Sequence, residues 1–263
     1  MLRPAKNYFG ARSALATAPP SPMNGAMASD VHPIAEHVVD GNRLTLLPGG
    51  EERLEALIAL IESANHRLDI CYYIFAKDLC GERVIDAAID ACNRGVAVTM
   101  MVDAFGSALT PASLFEPLIE AGARFGRFGA KRSTRYLIRN HQKMVIADGR
   151  TALIGGFNCE KLYFGSMTEE LAWCDLGLLV HGPLVGELER WFDLLAHWTI
   201  DTRQGFRRLR RLIRDWRPHE AKAEWLIGGP TRYLSSWARK VKNDLHHGRR
   251  LDLVAAYFSP SPA

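Results

Sequence analysis

The residues best suited to chemistry lie between positions 141 and 158. His141 and Lys143 are separated by one residue, Asp148 follows five residues after the lysine, and Asn158 ends the run Gly155-Gly156-Phe157-Asn158. If the segment at His141 is a strand, side-chain alternation places His141 and Lys143 on one face, side by side. A neutral imidazole beside an ammonium is suited to attack on a phosphate diester. The lysine would hold the phosphate oxygens while a ring nitrogen attacks phosphorus.

The other members of this pattern have different expected roles. Asn158 can add an amide donor, and the preceding glycines allow the backbone to approach a phosphate closely. Asp148 is grouped with the catalytic residues by its spacing, yet it opens the turn Asp148-Gly149-Arg150. That position favours fixing the turn over touching substrate. A lone His-x-Lys is common by chance, whereas the full spacing makes coincidence improbable.

The elements that must position these residues alternate between helix and strand. Apolar residues that recur every 3.6 positions predict helices, and short continuous apolar runs predict strands. The order of these elements along the chain implies a mostly parallel sheet covered on both faces. The fold class is therefore α/β, a mixed sheet flanked by helices. The predicted helices are 51–64, 81–93, 112–121, 185–198 and 206–217, and the predicted strands are 67–75, 96–102, 124–128, 141–147, 151–154 and 173–180.

The end of the chain resembles its beginning. Arg250-Leu251-Asp252 with Tyr257-Phe258 echoes Arg67-Leu68-Asp69 with Ile74-Phe75, and a Gly-Gly pair and a helix precede each copy. Such an echo indicates an internal duplication. We therefore expect an N-terminal leader and entry segment at 1–43 and a first complete repeat at 44–204. A basic linker helix and the truncated start of a second repeat would occupy 205–263.

Composition excludes several classes of protein. The 263 residues are 48% hydrophobic and 24% charged, which is typical of a soluble globular protein, and no apolar run reaches bilayer-spanning length. The net charge of +4 is too small to indicate a nucleic-acid binder. The five cysteines lack metal-ligand spacing, and their odd number favours a reducing cytoplasm over a disulfide framework.

The pattern His141-x-Lys143, Asp148, Gly155-Gly156-x-Asn158 resembles the HKD motif of the phospholipase D superfamily. The resemblance runs from about residue 44 onward. The flanking residues are most similar to bacterial cardiolipin synthases; they include Tyr72-Tyr73-Ile74-Phe75, Asp78, Arg94-Gly95-Val96, Asp103-Ala104, Arg139-Asn140, Tyr163, Trp173-x-Asp175 and Gly182-Pro183-x-Val185.

This resemblance implies roles for individual residues. His141 would be the nucleophile or the acid/base of a histidine pair, and Lys143 and Asn158 would bind phosphate. Asp175 lies where a family carboxylate orients the histidine, although a strand-end aspartate bonded within a turn is the simpler alternative. The implied reaction is phosphatidyl transfer between phospholipids through a phosphohistidine, with phosphatidylglycerol as donor and acceptor. No metal or organic cofactor is implied.

The sequence departs from the family in one respect. Family enzymes bring two such motifs together, and none of the other eight histidines here is followed two residues later by lysine. We expect a truncated reading frame in preference to a homodimer that pairs two copies of His141. A phosphodiesterase or nuclease acting as a dimer, or an inactive fragment, are the alternatives. Nucleic acid is the less favoured substrate because of the modest charge.

The segment Phe206–Arg217 contains six arginines and an apolar stripe at helical spacing. It could lie on an anionic membrane surface with its arginines toward the headgroups. A linker helix that packs by its apolar stripe is the favoured alternative. A phospholipid substrate and an anionic membrane surface as partners imply a cytoplasmic protein, peripheral to the inner face of the cell membrane.

Overall fold

The structure is a computed structural model and describes residues 36–129, 139–165, 172–200, 206–216, 222–228 and 235–251. Its centre is an eight-stranded sheet in the order β1-β2-β8-β7-β6-β3-β4-β5. The strands are β1 Glu36–Val39, β2 Asn42–Leu47, β3 Arg67–Tyr72, β4 Ala97–Asp103, β5 Arg124–Phe128, β6 Met144–Ala147, β7 Thr151–Gly155 and β8 Gly177–His181.

The sheet is mixed. β3, β4 and β5 are parallel, and every other pairing is antiparallel. Parallel neighbours need crossover connections, and helices supply them. The predicted α/β class with a mixed sheet is confirmed, whereas the expectation that the sheet is mostly parallel was wrong, because the strands outside β3, β4 and β5 follow hairpin or antiparallel connections. The helices are α1 Gly50–Ser63, α2 Leu79–Asn93, α3 Glu116–Glu120, α4 Leu184–Ile200, α5 Phe206–Asp215 and α6 Ser236–His247.

Each face of the sheet is covered by its own apolar layer. On one face, α1 and α2 pack through residues such as Leu57, Ile61 and Val84, all 0% exposed. On the other face, α4 packs through Trp191 and Phe192. Burying one such large side chain contributes about 1.5–3 kcal/mol, so these two layers fix which strand ends meet at each edge.

The helix predicted at 112–121 is broken in two. A 3-10 turn at Ala112–Leu114 is followed by the short helix α3, in which Pro117 occupies the second position. Proline has no backbone N–H and its ring clashes with the carbonyl four residues earlier, so a continuous helix cannot pass through it. A proline in the first turn of a new helix is tolerated, which explains the restart at Glu116.

The basic helix α5 is present and its apolar side contacts α4. Ile213 is buried in the same cluster as Trp191, and Trp216, one residue beyond the helix, meets the Trp191 ring edge-on at a centroid distance of 5.5 Å. Arg207, Arg211 and Arg214 are exposed. Ile213 and Trp216, the apolar side chains of this segment that the structure describes, therefore have protein partners, which favours the linker interpretation of this helix.

Part of the proposed internal repeat can be described. α6 follows Gly228-Gly229 with Ser235 as its N-cap, whose hydroxyl accepts the Ala238 N–H at 3.2 Å. Asp252, Tyr257 and Phe258 lie outside the described residues. Among the helices that are described, none is long and apolar enough to cross a membrane.

A buried carboxylate lies at the edge of the sheet where β3 begins. Asp69 is 0% exposed, and Arg67 donates its Nε–H to Oδ2 at 2.7 Å while also pairing with Asp193 on α4. Within the described residues, Oδ1 has no hydrogen-bond partner. Burial raises the pKa of Asp69 to about 7 despite the opposing pull of Arg67, and Asp193 and Glu189 add repulsion.

A raised acid pKa makes the folded state less stable at high pH. The stabilising contribution of protonated Asp69 is complete below the unfolded pKa near 4 and is lost as the pH rises through about 7. Urea unfolding should show the wild type losing on the order of 2–3 kcal/mol between pH 5 and pH 8.5. Asp69→Asn should flatten this dependence; an unchanged pH slope in the variant would contradict the assignment.

Candidate active site

One edge of the sheet collects the predicted site residues. The carboxyl ends of β3, β4 and β7 meet the amino ends of β6 and β8 there, because Cys71 pairs with Met144 and Gly155 pairs with Gly177. The segments that enter and leave these strands therefore converge. They carry His141, Lys143, Asn158 and Asp175.

His141 and Lys143 lie side by side, as predicted, but not within a strand. β6 begins only at Met144, so the expected strand from His141 is three residues too long. Lys143 Nζ lies 3.0 Å from His141 Nδ1 and donates to the His141 carbonyl at 2.7 Å. The histidine is exposed, whereas the lysine is buried, with 5% exposed.

This contact determines the histidine tautomer. A charged ammonium can only donate, so while Lys143 is protonated the Nδ1 atom must accept. The neutral ring then carries its proton on Nε2. That state can donate a hydrogen bond to an oxygen atom, whereas attack on phosphorus by Nε2 first requires the proton to move to Nδ1.

Burial sets the charges of the pair. It lowers the pKa of His141, and the neighbouring Lys143 charge lowers this pKa further while Asp103 opposes the change. Burial also lowers the pKa of Lys143 to about 8, against the attraction of Asp175, Cys71 and Asp103. At neutral pH the site therefore combines a neutral imidazole with an ammonium that is close to losing its proton.

Tyr73 forms one wall of this site. Its ring lies 4.5 Å from the His141 ring between centroids, and Lys143 Nζ lies 5.2 Å from the Tyr73 centroid. A cation held over an aromatic face is stabilised without a counter-anion. We did not assign Tyr73 to the site from the sequence, because its place in a short apolar run predicts a core residue of a strand.

Asp103 holds the backbone that leads into the histidine. Its Oδ2 accepts the Asn140 N–H at 2.8 Å, and its Oδ1 accepts the N–H groups of Phe105 and Gly106 at 2.9 and 3.0 Å. These hydrogen bonds replace strand pairing ahead of β6, which explains why the observed strand is shorter than the predicted one. The sequence signal for this role was an aspartate at the end of a predicted strand, shortly before a glycine.

Gln142 and Asn140 anchor the same segment from its sides. The Trp191 indole on α4 donates to Gln142 Oε1 at 2.8 Å, and the Asn140 amide donates to Cys71 Sγ at 3.2 Å. The backbone on both sides of His141 is thus tied to the second face of the sheet and to β3. This pre-organises the imidazole before any ligand is bound.

Asn158 is buried and joins the loops that follow β3 and β7. Its Oδ1 accepts the Ile74 N–H at 3.1 Å, and its Nδ2 donates to the Tyr163 hydroxyl at 3.0 Å. Within the part of the chain that the structure describes, the second amide hydrogen of Asn158 has no hydrogen-bond acceptor. The preceding Gly156 packs tightly, since a Cβ there would lie 2.7 Å from Asp175 Oδ1.

Asp175 is close to the lysine rather than bonded to the histidine. Its Oδ1 accepts the Leu176 N–H at 2.7 Å, and no hydrogen bond to His141 occurs within the described residues. Its charge is the leading attraction that keeps Lys143 protonated. The expected contact that orients the imidazole is therefore absent from this arrangement, and Asp175 acts on Lys143 through space.

Asp148 lies at the opposite end of β6. Its carboxylate accepts the backbone N–H groups of Asn65, His66 and Arg67 at 2.8–3.0 Å, and these bonds lower its pKa. Its backbone is left-handed, with φ 53°. The structure thus places the Asp148 carboxylate away from His141, where it fixes the turn as its position in the sequence favoured, and its grouping with the catalytic residues stays a prediction.

Asp148→Ala should lower the free energy of unfolding by about 1–2 kcal/mol, because three backbone donors lose their acceptor. Thermal or urea unfolding measures this, with Asp148→Asn as the milder control that keeps one acceptor oxygen. Activity per folded molecule should change little in either variant. A loss of activity comparable to that of a His141 variant would contradict the structural role.

The described residues contain no cluster of three or more His, Cys, Asp or Glu that could hold a metal ion. The groups that the structure brings together at this edge of the sheet are the His141 imidazole, the Lys143 ammonium and the Asn158 amide.

Comparison with solved structures supports the fold. Phosphatidylserine synthase from Haemophilus influenzae Rd KW20 superposes with a TM-score of 0.52 at 16% identity, over 69% of this chain and 46% of that chain. At this identity the likeness concerns the arrangement of strands and helices only.

Sequence comparison is more specific. The family profile described as cardiolipin synthase, PLD-like domain, matches residues 57–196. Cardiolipin synthase from Listeria monocytogenes serotype 4a (strain HCC23) is 34% identical over 155 residues, which is 57% of this chain and 32% of the relative. Cardiolipin synthase 1 from Bacillus cereus (strain ATCC 14579) is 32% identical over 163 residues, with 60% and 32% covered. The chain spans about a third of the length of these curated relatives, and it belongs to the cardiolipin synthase family with a phospholipase D-like domain.

Proposed function

We propose that this chain supplies one catalytic unit of an enzyme that transfers phosphatidyl groups between phospholipids, with phosphatidylglycerol as donor and acceptor. The observation that carries the proposal is the contact of the Lys143 ammonium with the His141 ring at 3.0 Å. An ammonium beside a neutral imidazole, in a chain that matches the cardiolipin synthase family profile, supports Lys143 as the phosphate-binding charge and His141 as the nucleophile.

The reaction has two displacements. In the first, Nε2 of His141 gives its electron pair to phosphorus, and the bond from phosphorus to the headgroup glycerol oxygen breaks. The glycerol oxygen takes a proton from a general acid and leaves. In the second, a hydroxyl of another phosphatidylglycerol attacks the phosphohistidine, loses its proton to the same group, and the P–N bond breaks. The products are cardiolipin and glycerol.

The tautomer of His141 links substrate binding to attack. Phosphate oxygens compete with Nδ1 for the Lys143 ammonium, because both are acceptors. When the lysine turns to the phosphate, Nδ1 becomes free to carry the ring proton and Nε2 becomes nucleophilic. For His141 to be the acid/base member of the pair instead, its ring must first gain a second proton, and Nε2 can then give its proton to the leaving oxygen.

The loop that ends in Asn158 supports the bound phosphate. One amide hydrogen of Asn158 is uncommitted, and its carbonyl oxygen already holds the backbone at Ile74. A fixed donor of this kind stabilises charge on a non-bridging oxygen without reorganising during the reaction. Together with Lys143 it would form the phosphate clamp.

A second catalytic unit completes the site. Loss of a general acid typically costs about 10²–10⁴-fold in rate, and the sequence contains one His-x-Lys. The second histidine would come from another copy of this chain or from a further C-terminal half, as the partial repeat suggests. A phospholipid substrate would bring the assembled enzyme to the inner face of the membrane as a peripheral protein.

Turnover of phosphatidylglycerol vesicles tests the proposal, with cardiolipin and glycerol both measured. His141→Asn should lower the rate at least about 10³-fold, and Lys143→Gln about 10²–10³-fold, because nucleophile and clamp are lost. His37→Asn on β1 and Lys222→Gln are matched controls at the far side of the protein and should leave the rate unchanged. Cardiolipin formation that survives in His141→Asn would refute the assignment.

A further inference from the structure

Arg53 is a buried cation directly behind the candidate site. It lies on α1, is 1% exposed, and its guanidinium donates to four backbone carbonyls, those of Leu47, Pro48, Tyr163 and Asp175, at 3.4, 2.7, 2.8 and 2.6 Å respectively. Its Cζ lies 5.6 Å from the Phe157 ring centroid.

This arrangement is costly and therefore informative. A buried charge is normally paired with an opposite charge, yet no described carboxylate forms a salt bridge with Arg53. Burial lowers its pKa, and Nε has no hydrogen-bond partner. A hydrophobic side chain could fill the space, so the planar set of guanidinium donors must serve to hold the segments that it binds in position.

Two of the carbonyls that Arg53 binds belong to residues of the site. The Tyr163 hydroxyl accepts the amide of Asn158, and the Asp175 carboxylate lies against Gly156 and attracts Lys143. Leu47 and Pro48 end β2, which is the neighbour of β8. Arg53 thus joins two irregular segments of the site to a rigid strand end.

We propose that Arg53 is a positioning residue: its guanidinium fixes the Asp175 segment opposite Lys143 and the Tyr163 segment beneath Asn158, so that the phosphate clamp is assembled before substrate binds. The inference rests on the proposed function in taking Lys143 and Asn158 as the clamp. Arg53 itself touches neither the imidazole nor the lysine in these contacts, so its effect is exerted through backbone position.

The charge of Lys143 reports this positioning. The groups that face the ammonium come from four segments of the chain. Asp175 is the leading attraction, and the others are Tyr73, Cys71, Asp103 and His141. Because Cys71 and Asp103 lie on strands, and His141 is held by its neighbours, Asp175 is the group whose place depends on Arg53.

Arg53→Lys keeps the charge but cannot reproduce four carbonyl contacts from one ammonium. In the variant the Asp175 segment is released, and Lys143 should lose its proton more readily. The Lys143 titration, followed by NMR of ¹³C-lysine-labelled full-length protein, should move from a midpoint of about 8 in the wild type to about 7. The signal is assigned by its disappearance in Lys143→Arg.

Arg94→Lys is the matched control. Arg94 also donates to three backbone carbonyls, those of Ile61, Glu62 and Ala64, but at the end of α1 away from the site. It should lower thermal stability without moving the Lys143 midpoint. If Arg53→Lys lowers stability and leaves the midpoint in place, Arg53 is only a packing residue and the inference is overturned.

The same variants separate this inference from the proposed function. With phosphatidylglycerol vesicles, the alkaline limb of kcat/KM should follow the NMR midpoint downward in Arg53→Lys, and at pH 8 the rate should fall about fivefold, because the protonated fraction of Lys143 falls from about one half to about one tenth. The NMR titration tests Arg53 whether or not the wild type turns over phosphatidylglycerol, because it needs no second catalytic unit. If turnover is normal and neither measurement moves, the role of Arg53 fails alone.

Discussion

The contact between the Lys143 ammonium and the His141 ring is the constraint on which this site depends. An ammonium that is 5% exposed must be kept charged, and an imidazole beside it must be kept neutral. Water would satisfy the lysine equally well, so the protein has to supply substitutes: the Tyr73 ring, the charge of Asp175 and the His141 carbonyl. Several of the polar contacts at this edge of the sheet help to keep the lysine charged and the imidazole neutral.

The fold provides the substitutes through its topology. Antiparallel pairing of β6 with β3 and β7 places the start of β6 beside the ends of its two neighbours. The loops after β3 and β7 are then close enough to be joined by Asn158. Asp103 at the end of β4 reaches across to Asn140. In the histidine segment, side chains in place of a neighbouring strand accept two backbone N–H groups: Asp103 accepts that of Asn140, and the Asn140 amide oxygen accepts that of Gln142.

Much of the fold could be predicted from local pattern. β5 is found where predicted, and the turn at Asp148-Gly149-Arg150 joins β6 and β7. The proximity of His141 and Lys143 was predicted from strand alternation, although the residues lie before β6 and their contact arises from burial of the lysine. Pro117 was visible as an interruption, and it does divide the helix.

The residues that support the site were harder to predict from the sequence, because their contacts join positions that lie far apart in the chain. Arg53 bonds to a carbonyl 122 residues away, and no local period reveals such a partner. One signal was present: Arg53 lies four residues before Leu57, on the buried face of α1, where a charge is unusual. Asp175 was correctly brought near the site, yet its influence falls on Lys143 rather than on the imidazole.

The central claim is that His141 is a nucleophile activated at this site. The most direct measurement uses phosphatidyl-p-nitrophenol, whose leaving group departs without a general acid, so that one His-x-Lys unit is sufficient. Rapid mixing with the full chain should release one equivalent of p-nitrophenolate per chain in a burst, and peptide mapping should find an acid-labile phosphoryl adduct on His141. A burst that persists in His141→Asn, or the absence of both burst and adduct in the wild type, would contradict the account.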